Sequence, residues 1–443
     1  SLNLIQKEQI LNDNNVIVDS TYTYQRDEQN NKKERISMIR KETSELTFVE
    51  TYSYDALGRV ISMNYQLRNS FTYDVNFQLS NASIGTHTYS YEYNDRGNII
   101  KKTIDGEFID FTYDNVLLDR LSQAGSKSFT YFANNPLFIS QITDNETTIN
   151  LSYQGRNLKT YEIENDKQIS FEYNYNNLRT KKIIVQGDDI TTYSYYYDLN
   201  NILVKQVKTS SDNLSQEITF LRDSLGLYGF IYNNNQYFYI KNLLGIIYKI
   251  IDINGDEVVN YEYDPYGKLI SVTGSLSTSL GSINPYIYKE YYYDFETKLY
   301  YLNSRYYDPD ICRFISPDSV DYLNPSKING LNLYAYCNND PINYLDPNGN
   351  ELISIGLLIA GMFVGAAIGA AGSIISQGLT VGWGNINIWQ VALDTVIGGI
   401  SGLLSCSGLS AFEIAIASAG LGFIGSASSD LINNKGDVAK INW

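Results

Sequence analysis

Histidine is nearly absent. His87 is the only one in 443 residues, and the cysteines number three, Cys312, Cys337 and Cys406. A lone histidine excludes a multi-histidine metal centre and leaves serine–histidine chemistry without support. Three cysteines cannot build the dense bridge framework of a small secreted scaffold. Basic residues are also scarce. Lys and Arg total 33 against 49 Asp and Glu, a net charge of −16, which argues against nucleic acid as a partner of the bulk of the chain. No basic stretch followed by an apolar run opens the sequence, so residue 1 reads as the start of an excised piece. The length leaves room for two to three domains at ~150 residues each. A short cytosolic enzyme of ordinary composition does not fit.

Tyrosine is abundant and unevenly placed. All 40 lie at or before Tyr344, whereas half of the 32 glycines fall after residue 350. Leu352 to Leu393 contains no charged residue. Two different polymers meet at Asn350.

The tyrosines repeat. Tyr54, Tyr73, Tyr93, Tyr113, Tyr131, Tyr153, Tyr173 and Tyr197 follow one another at spacings of 18 to 24 residues. Two places before each stands another ring (Tyr52, Phe71, Tyr91, Phe111, Phe129, Phe171 and Tyr195), with Leu151 the exception. Residues i and i+2 share one face of a strand, so each unit puts an aromatic pair on one face. Turn chemistry often follows at once, as in Asp55-Ala56-Leu57-Gly58, Asn94-Asp95-Arg96-Gly97 and Asp264-Pro265-Tyr266-Gly267. Short apolar stretches such as Val60-Ile61 and Ile99-Ile100 resume after the turns. The unit is therefore a hairpin of about twenty residues. Single hairpins are marginal, so neighbours must join to bury the rings, and residues 1–300 are expected to form one long β-sheet. Aromatic ladders of this kind are first of all packing; exposed tyrosines that bind glycans are the rarer use.

Other chemical readings are weaker. Pairing Cys312 or Cys337 with His87 would join residues more than 220 apart, and buried inert thiols are commoner. Asp252-Ile253-Asn254-Gly255-Asp256 has part of a calcium-loop pattern without its terminal glutamate, and a hairpin turn accounts for it better. No metal and no cofactor is expected.

Specific motifs cluster later in the chain. Tyr237 to Ile270 reads YFYIKNLLGIIYKIIDINGDEVVNYEYDPYGKLI, and Asn284-Pro285-Tyr286 follows. Then come YYLNSRYYDP (300–309), RFISPD (313–318), NLYAYCNNDP (332–341) and DPNG (346–349). Together they resemble the Rhs repeat-associated core that ends the tyrosine–aspartate (YD) repeat array of bacterial polymorphic toxins. The likeness is dense over 237–350 and looser before it. It implies a mainly β fold: YD-repeat hairpins in a spiralling, hollow shell closed by an inward-turning core plug, as in the C components of insecticidal toxin complexes. It also implies three segments: a YD-repeat wall (1–236), the core (237–350) and a hydrophobic, glycine-rich pre-toxin or toxin leader (351–443). The shell would be secreted or carried on the surface of a bacterium. Its partners would be its own C-terminal toxin segment, a cognate immunity protein and the membrane of a target cell.

The family's self-cleavage uses aspartates in two Asp-Pro-x-Gly elements with a basic residue nearby. By motif position these are Asp318, Asp346 and Arg313, and the cut bond is Asn350–Glu351. Paired carboxylates can share one proton, so that one acts as base toward water while the other donates to the peptide carbonyl. This sequence departs from the pattern with Ser319-Val320-Asp321 after Asp318 and with Asn350 where leucine is usual. Both departures weigh toward an uncut chain in which the aspartates brace the plug. At most the chain is an aspartyl autoprotease, and residues 351–443 carry no catalytic motif.

In the tail, Gly361, Gly365 and Gly369 form a small-residue stripe, and Leu352–Ile375 is long enough for a ~20-residue membrane span. The segment is read as helical: a stored leader able to insert in a membrane, a pore-forming effector, or an apolar packing element. The competing reading of the whole is a teneurin-like or wall-associated adhesion protein.

Overall fold

A computed structural model describes residues 7–12, 15–26, 32–212, 214–223, 226–322, 329–350 and 352–354. The leader expected over 351–443 lies outside the described residues, apart from 352–354. Two compact units result, one of residues 9–19 and 40–352, the other of 1–8, 20–39 and 353–443. In the second unit, the described stretches of 20–39 are extended, and Ser37 Oγ donates to Thr23 O at 3.1 Å.

The first unit is almost wholly β, as the ring spacing required. Twenty-two consecutive strands run from Thr47–Tyr54 to Leu269–Thr273, and each pairs antiparallel with the next in an open meander that does not close as a barrel. The first ring of each pair is buried: Tyr52, Phe71, Tyr91, Phe111, Phe129, Phe171 and Tyr195. The second ring does something else. Its hydroxyl donates to the carbonyl at the start of an earlier strand, Tyr93 to Leu79 O (2.7 Å), Tyr113 to Ile99 O, Tyr131 to Leu121 O and Tyr173 to Leu158 O (2.8 Å each). A register shift immediately before the second ring recurs along the wall, at Tyr54, Tyr73, Tyr93, Tyr173, Tyr197 and Tyr263. The bulge twists the strand end where the hydroxyl ties neighbouring hairpins together.

The Asp or Asn that follows templates the turn. Asp264 Oδ1 accepts the N–H of Tyr266 and of Lys268 at 2.9 Å, while Asp264 N donates to Lys268 O at 2.9 Å. The same double acceptance recurs at Asp74, Asn94, Asn174, Asp198, Asn242 and Asp252. Asp252 thus heads a hairpin turn of the common kind.

After the meander the chain folds onto the wall's buried face. Tyr292–Asp294, Leu299–Tyr301, Tyr306–Asp308 and Arg313–Phe314 make a small four-stranded antiparallel sheet, every residue of which is buried. Its tyrosines pack among rings of the following loop, with Tyr307 stacked on Tyr336 at 4.0 Å. Ion pairs join earlier hairpins to the last turn of the meander and to this later segment, with the cation on the earlier hairpin in each of the following. Lys102 meets Asp264 (2.9 Å), Lys127 meets Asp310 (2.9 Å) and Arg156 meets Asp318 (3.2 Å). Lys182 meets Asp294 (2.8 Å) and Glu296 (2.7 Å), and Arg179 meets Asp294 (2.5 Å).

Candidate active site

Asp318 and Asp346 come from opposite ends of a long irregular loop, and the fold brings them to one guanidinium. Arg305 Nη2 lies 2.8 Å from Asp318 Oδ2 and 3.7 Å from Asp346 Oδ2. The arginine is fixed from several sides. It lies 3.6 Å over the Phe314 ring, Nη1 donates to Leu333 O at 2.9 Å, and Nε donates to Gly349 O. Arg305 and Asp346 are buried, whereas the Asp318 side chain keeps 11% of its surface exposed.

Asp346 opens the turn Asp346-Pro347-Asn348-Gly349, and its Oδ1 accepts the N–H of Gly349 (2.8 Å) and of Asn350 (3.0 Å). Tyr291 Oη accepts the Asp346 N–H at 2.9 Å, and Ser304 Oγ donates to Asn348 O at 2.7 Å. With its side-chain amide nitrogen turned toward the carboxylate, Asn350 reaches Asp318 Oδ1 at 3.2 Å. Asn350 is thus tied to both acids, to Asp346 by its backbone N–H and to Asp318 by its side chain. Glu351 lies outside the described residues.

The electrostatics separate the two acids. Burial pushes the Asp346 carboxyl up to about 7, against the pull of Arg305 and the two backbone donors, with the Asp318 charge adding to the rise. Burial also raises Asp318, opposed by Arg305, the Ser319 N–H and Arg156. Asp318 has two guanidinium partners and Asp346 one distant one, so a proton shared by the pair is favoured on Asp346. Two carboxyls of unequal proton affinity at one guanidinium are the components of acid–base hydrolysis.

Arg313 lies elsewhere. Its Nη2 donates to Asp119 O at 2.6 Å, and its guanidinium sits 4.6 Å over the Tyr334 ring. The arginine between the acids is Arg305, whose signal in the sequence was its place in the Asn303-Ser304-Arg305 turn of the core motif. Arg156 stands in no motif of the sequence and reaches the site only through the fold. Cys312 and Cys337 are buried, with thiols pushed up to about 12 by desolvation, and exposed His87 pairs with Asp105 at 2.6 Å. Cys406 lies outside the described residues.

Similar proteins fit this architecture. The tRNA3(Ser)-specific nuclease WapA of Bacillus spizizenii is 27% identical over 317 residues, 71% of this chain and 11% of its own length. Toxin subunit YenC1 of Yersinia entomophaga is 25% identical over 335 residues, 68% of this chain and 33% of its own. The solved TcdB2-TccC3-TEV structure shares the fold with a TM-score of 0.58 at 21% identity, covering 75% of this chain and 18% of that one. The chain therefore spans about a tenth to a third of the length of these curated relatives. The profile of the teneurin YD-shell matches residues 2–342, in keeping with the ring-paired hairpins and the core folded onto them, and the chain belongs to the teneurin YD-shell family.

Proposed function

We propose that the chain is the closing end of a toxin-encapsulating shell, with a YD-repeat wall over 1–236, a core plug over 237–350 and a stored C-terminal segment from 351. Family membership and the likeness to a toxin subunit and to a nuclease support this reading. The same reading puts the protein outside its bacterial producer or on that cell's surface, with the segment after 350 as its own cargo. An immunity protein and a target-cell membrane are the further partners such a cargo would meet.

We further propose that the shell cuts its cargo free at Asn350–Glu351. The observation that carries this is the pair of carboxyls on Arg305 with the Asn350 N–H bound to the buried one, Asp346. Asp318 takes a proton from water as the water oxygen adds to the Asn350 carbonyl carbon, and Asp346 protonates the carbonyl oxygen. Collapse returns that hydroxyl proton to Asp346, breaks the C–N bond and moves the proton on Asp318 to the leaving Glu351 amine. Arg305 holds both acids in register and favours the ionised form of Asp318. Purified protein analysed by intact mass should appear as two fragments divided after Asn350, and Asp346→Asn should remain one chain. Wild-type protein that stays whole after long incubation between pH 5 and pH 7 would remove the cleavage step, leaving the aspartates as turn caps of the plug.

A further inference from the structure

The repeat at 147–163 departs from the other ring-paired units in two ways, and the second reaches the candidate site. Its first ring position is Leu151, where the other units carry Tyr or Phe. Its turn is also short. After the other second rings comes a loop of five to seven residues, such as Asn94–Asn98 or Asp114–Arg120, but here strands Thr147–Gln154 and Asn157–Ile163 are joined by Gly155-Arg156 alone. Gly155 supplies the positive φ that such a tight turn requires, at 62°. The turn points Arg156 at the core, where its Nη2 donates to Pro317 O at 3.1 Å and to Asp318 Oδ1 at 3.2 Å. Asp318 is thereby gripped on one oxygen by the wall and on the other by Arg305 of the core.

We propose that Arg156 is a positioning residue for the Asp318–Asp346 pair, supplied by the wall, so that the bond after Asn350 is cut only in a chain whose YD-repeat wall has formed against its core. The inference rests on the self-cleavage reading above and adds its control. The charged groups facing Asp318 are Arg156 from the wall and Arg305 and Asp346 from the core. Without Arg156 the base keeps one guanidinium, its carboxylate becomes harder to ionise, and its Oδ1 is left with only the neutral Ser319 N–H and Asn350 amide as donors. A chain still lacking its wall, or one misassembled around residue 156, would hold its cargo covalently. Cleavage then reports that the container is complete.

The test measures the rate of the cut in the full chain across pH 4 to 8 for wild type, Arg156→Gln, Arg156→Lys and Asp346→Asn. The rate needs Asp318 ionised and Asp346 protonated, so its acidic limb follows Asp318. Arg156→Gln should move that limb to higher pH, slowing the cut about tenfold for each unit of displacement at pH values on the limb, and Arg156→Lys should restore much of it. Far-ultraviolet circular dichroism and the urea midpoint show whether Arg156→Gln keeps the fold. A folded Arg156→Gln chain with the wild-type rate and pH profile would overturn the inference while Asp346→Asn still blocks the cut. A uniform loss of rate with no shift of the limb, unrelieved by lysine, would also overturn it, as a merely structural effect. An uncut wild type would refute the self-cleavage reading and this inference with it.

Discussion

Lys102 sits directly across the ladder from Tyr91, at a position that other units fill with Met63, Ala82, Ala124 or Ile142. An ammonium at an apolar register position needs a partner, and Asp264, in the turn before the last strand of the meander, supplies it. Lys182, across from Phe171, repeats the arrangement with Asp294. Arg179 adds a guanidinium lying 4.5 to 4.7 Å from the rings of Tyr195, Tyr292 and Tyr301. These cations fix how the core seats on the wall. Removing one partner of such a buried pair strands the other, and Lys102→Met should cost ~3–5 kcal/mol by urea denaturation. Adding Asp264→Asn should recover most of the loss, because Asn94, Asn174 and Asn242 template the same turn elsewhere with a neutral side chain. A double variant no more stable than Lys102→Met would show that the carboxylate matters for something other than this ion pair.

Element by element, the hairpins were the legible part of the sequence. Strand periodicity lies in the side chains themselves, and the turn is written as Asp or Asn followed three places on by Gly or Asn, at positive φ in Gly97, Asn177, Asn201, Gly245 and Gly267. The site was half legible. Asp318 and Asp346 stand in motifs that position them through local turns. Arg305 and Arg156 reach the same place only through packing of the core on the wall, 149 residues apart in sequence, and no local pattern encodes that. Turn glycines allow a graded check. At Gly267, φ is 88° and an added Cβ would lie 2.5 Å from the Tyr288 ring, whereas at Gly106, φ is 92° with nothing within 4 Å. Gly106→Ala should cost only the backbone strain, ~1–2 kcal/mol. Gly267→Ala should cost more, by a further ~1–3 kcal/mol of overpacking against the core. Equal losses in thermal unfolding would mean that the core yields at Tyr288.

For the whole molecule, pH acts chiefly through the acids buried in the plug. Asp340 and Asp346 are both raised from 3.8 to about 7, chiefly by desolvation. A carboxyl whose folded value exceeds its unfolded one favours the folded state at low pH, and that advantage is lost as pH rises from about 3.8 through about 7. Acids lowered by their partners, such as Asp294 beside Arg179 and Lys182, act the other way, and their contribution disappears only as pH falls below the ordinary carboxylate range. In the uncut Asp346→Asn chain the urea midpoint should therefore fall between pH 5 and pH 8, and Asp340→Asn should remove much of that fall. A midpoint that rises over this interval would place the Asp340 carboxyl in contact with water.

Containment is the claim on which the rest depends, and its physical basis is simple. Residues 352–393 carry no charge, and so long an apolar stretch left in water would associate with its neighbours. The direct measurement is limited proteolysis of the folded full-length protein with a protease that cleaves at apolar residues, followed by mass mapping of every cut. The account predicts that 352–393 survives as long as the wall does and is digested at once when the wall is unfolded in urea. Rapid cutting within 352–393 while residues 40–350 remain intact would contradict it.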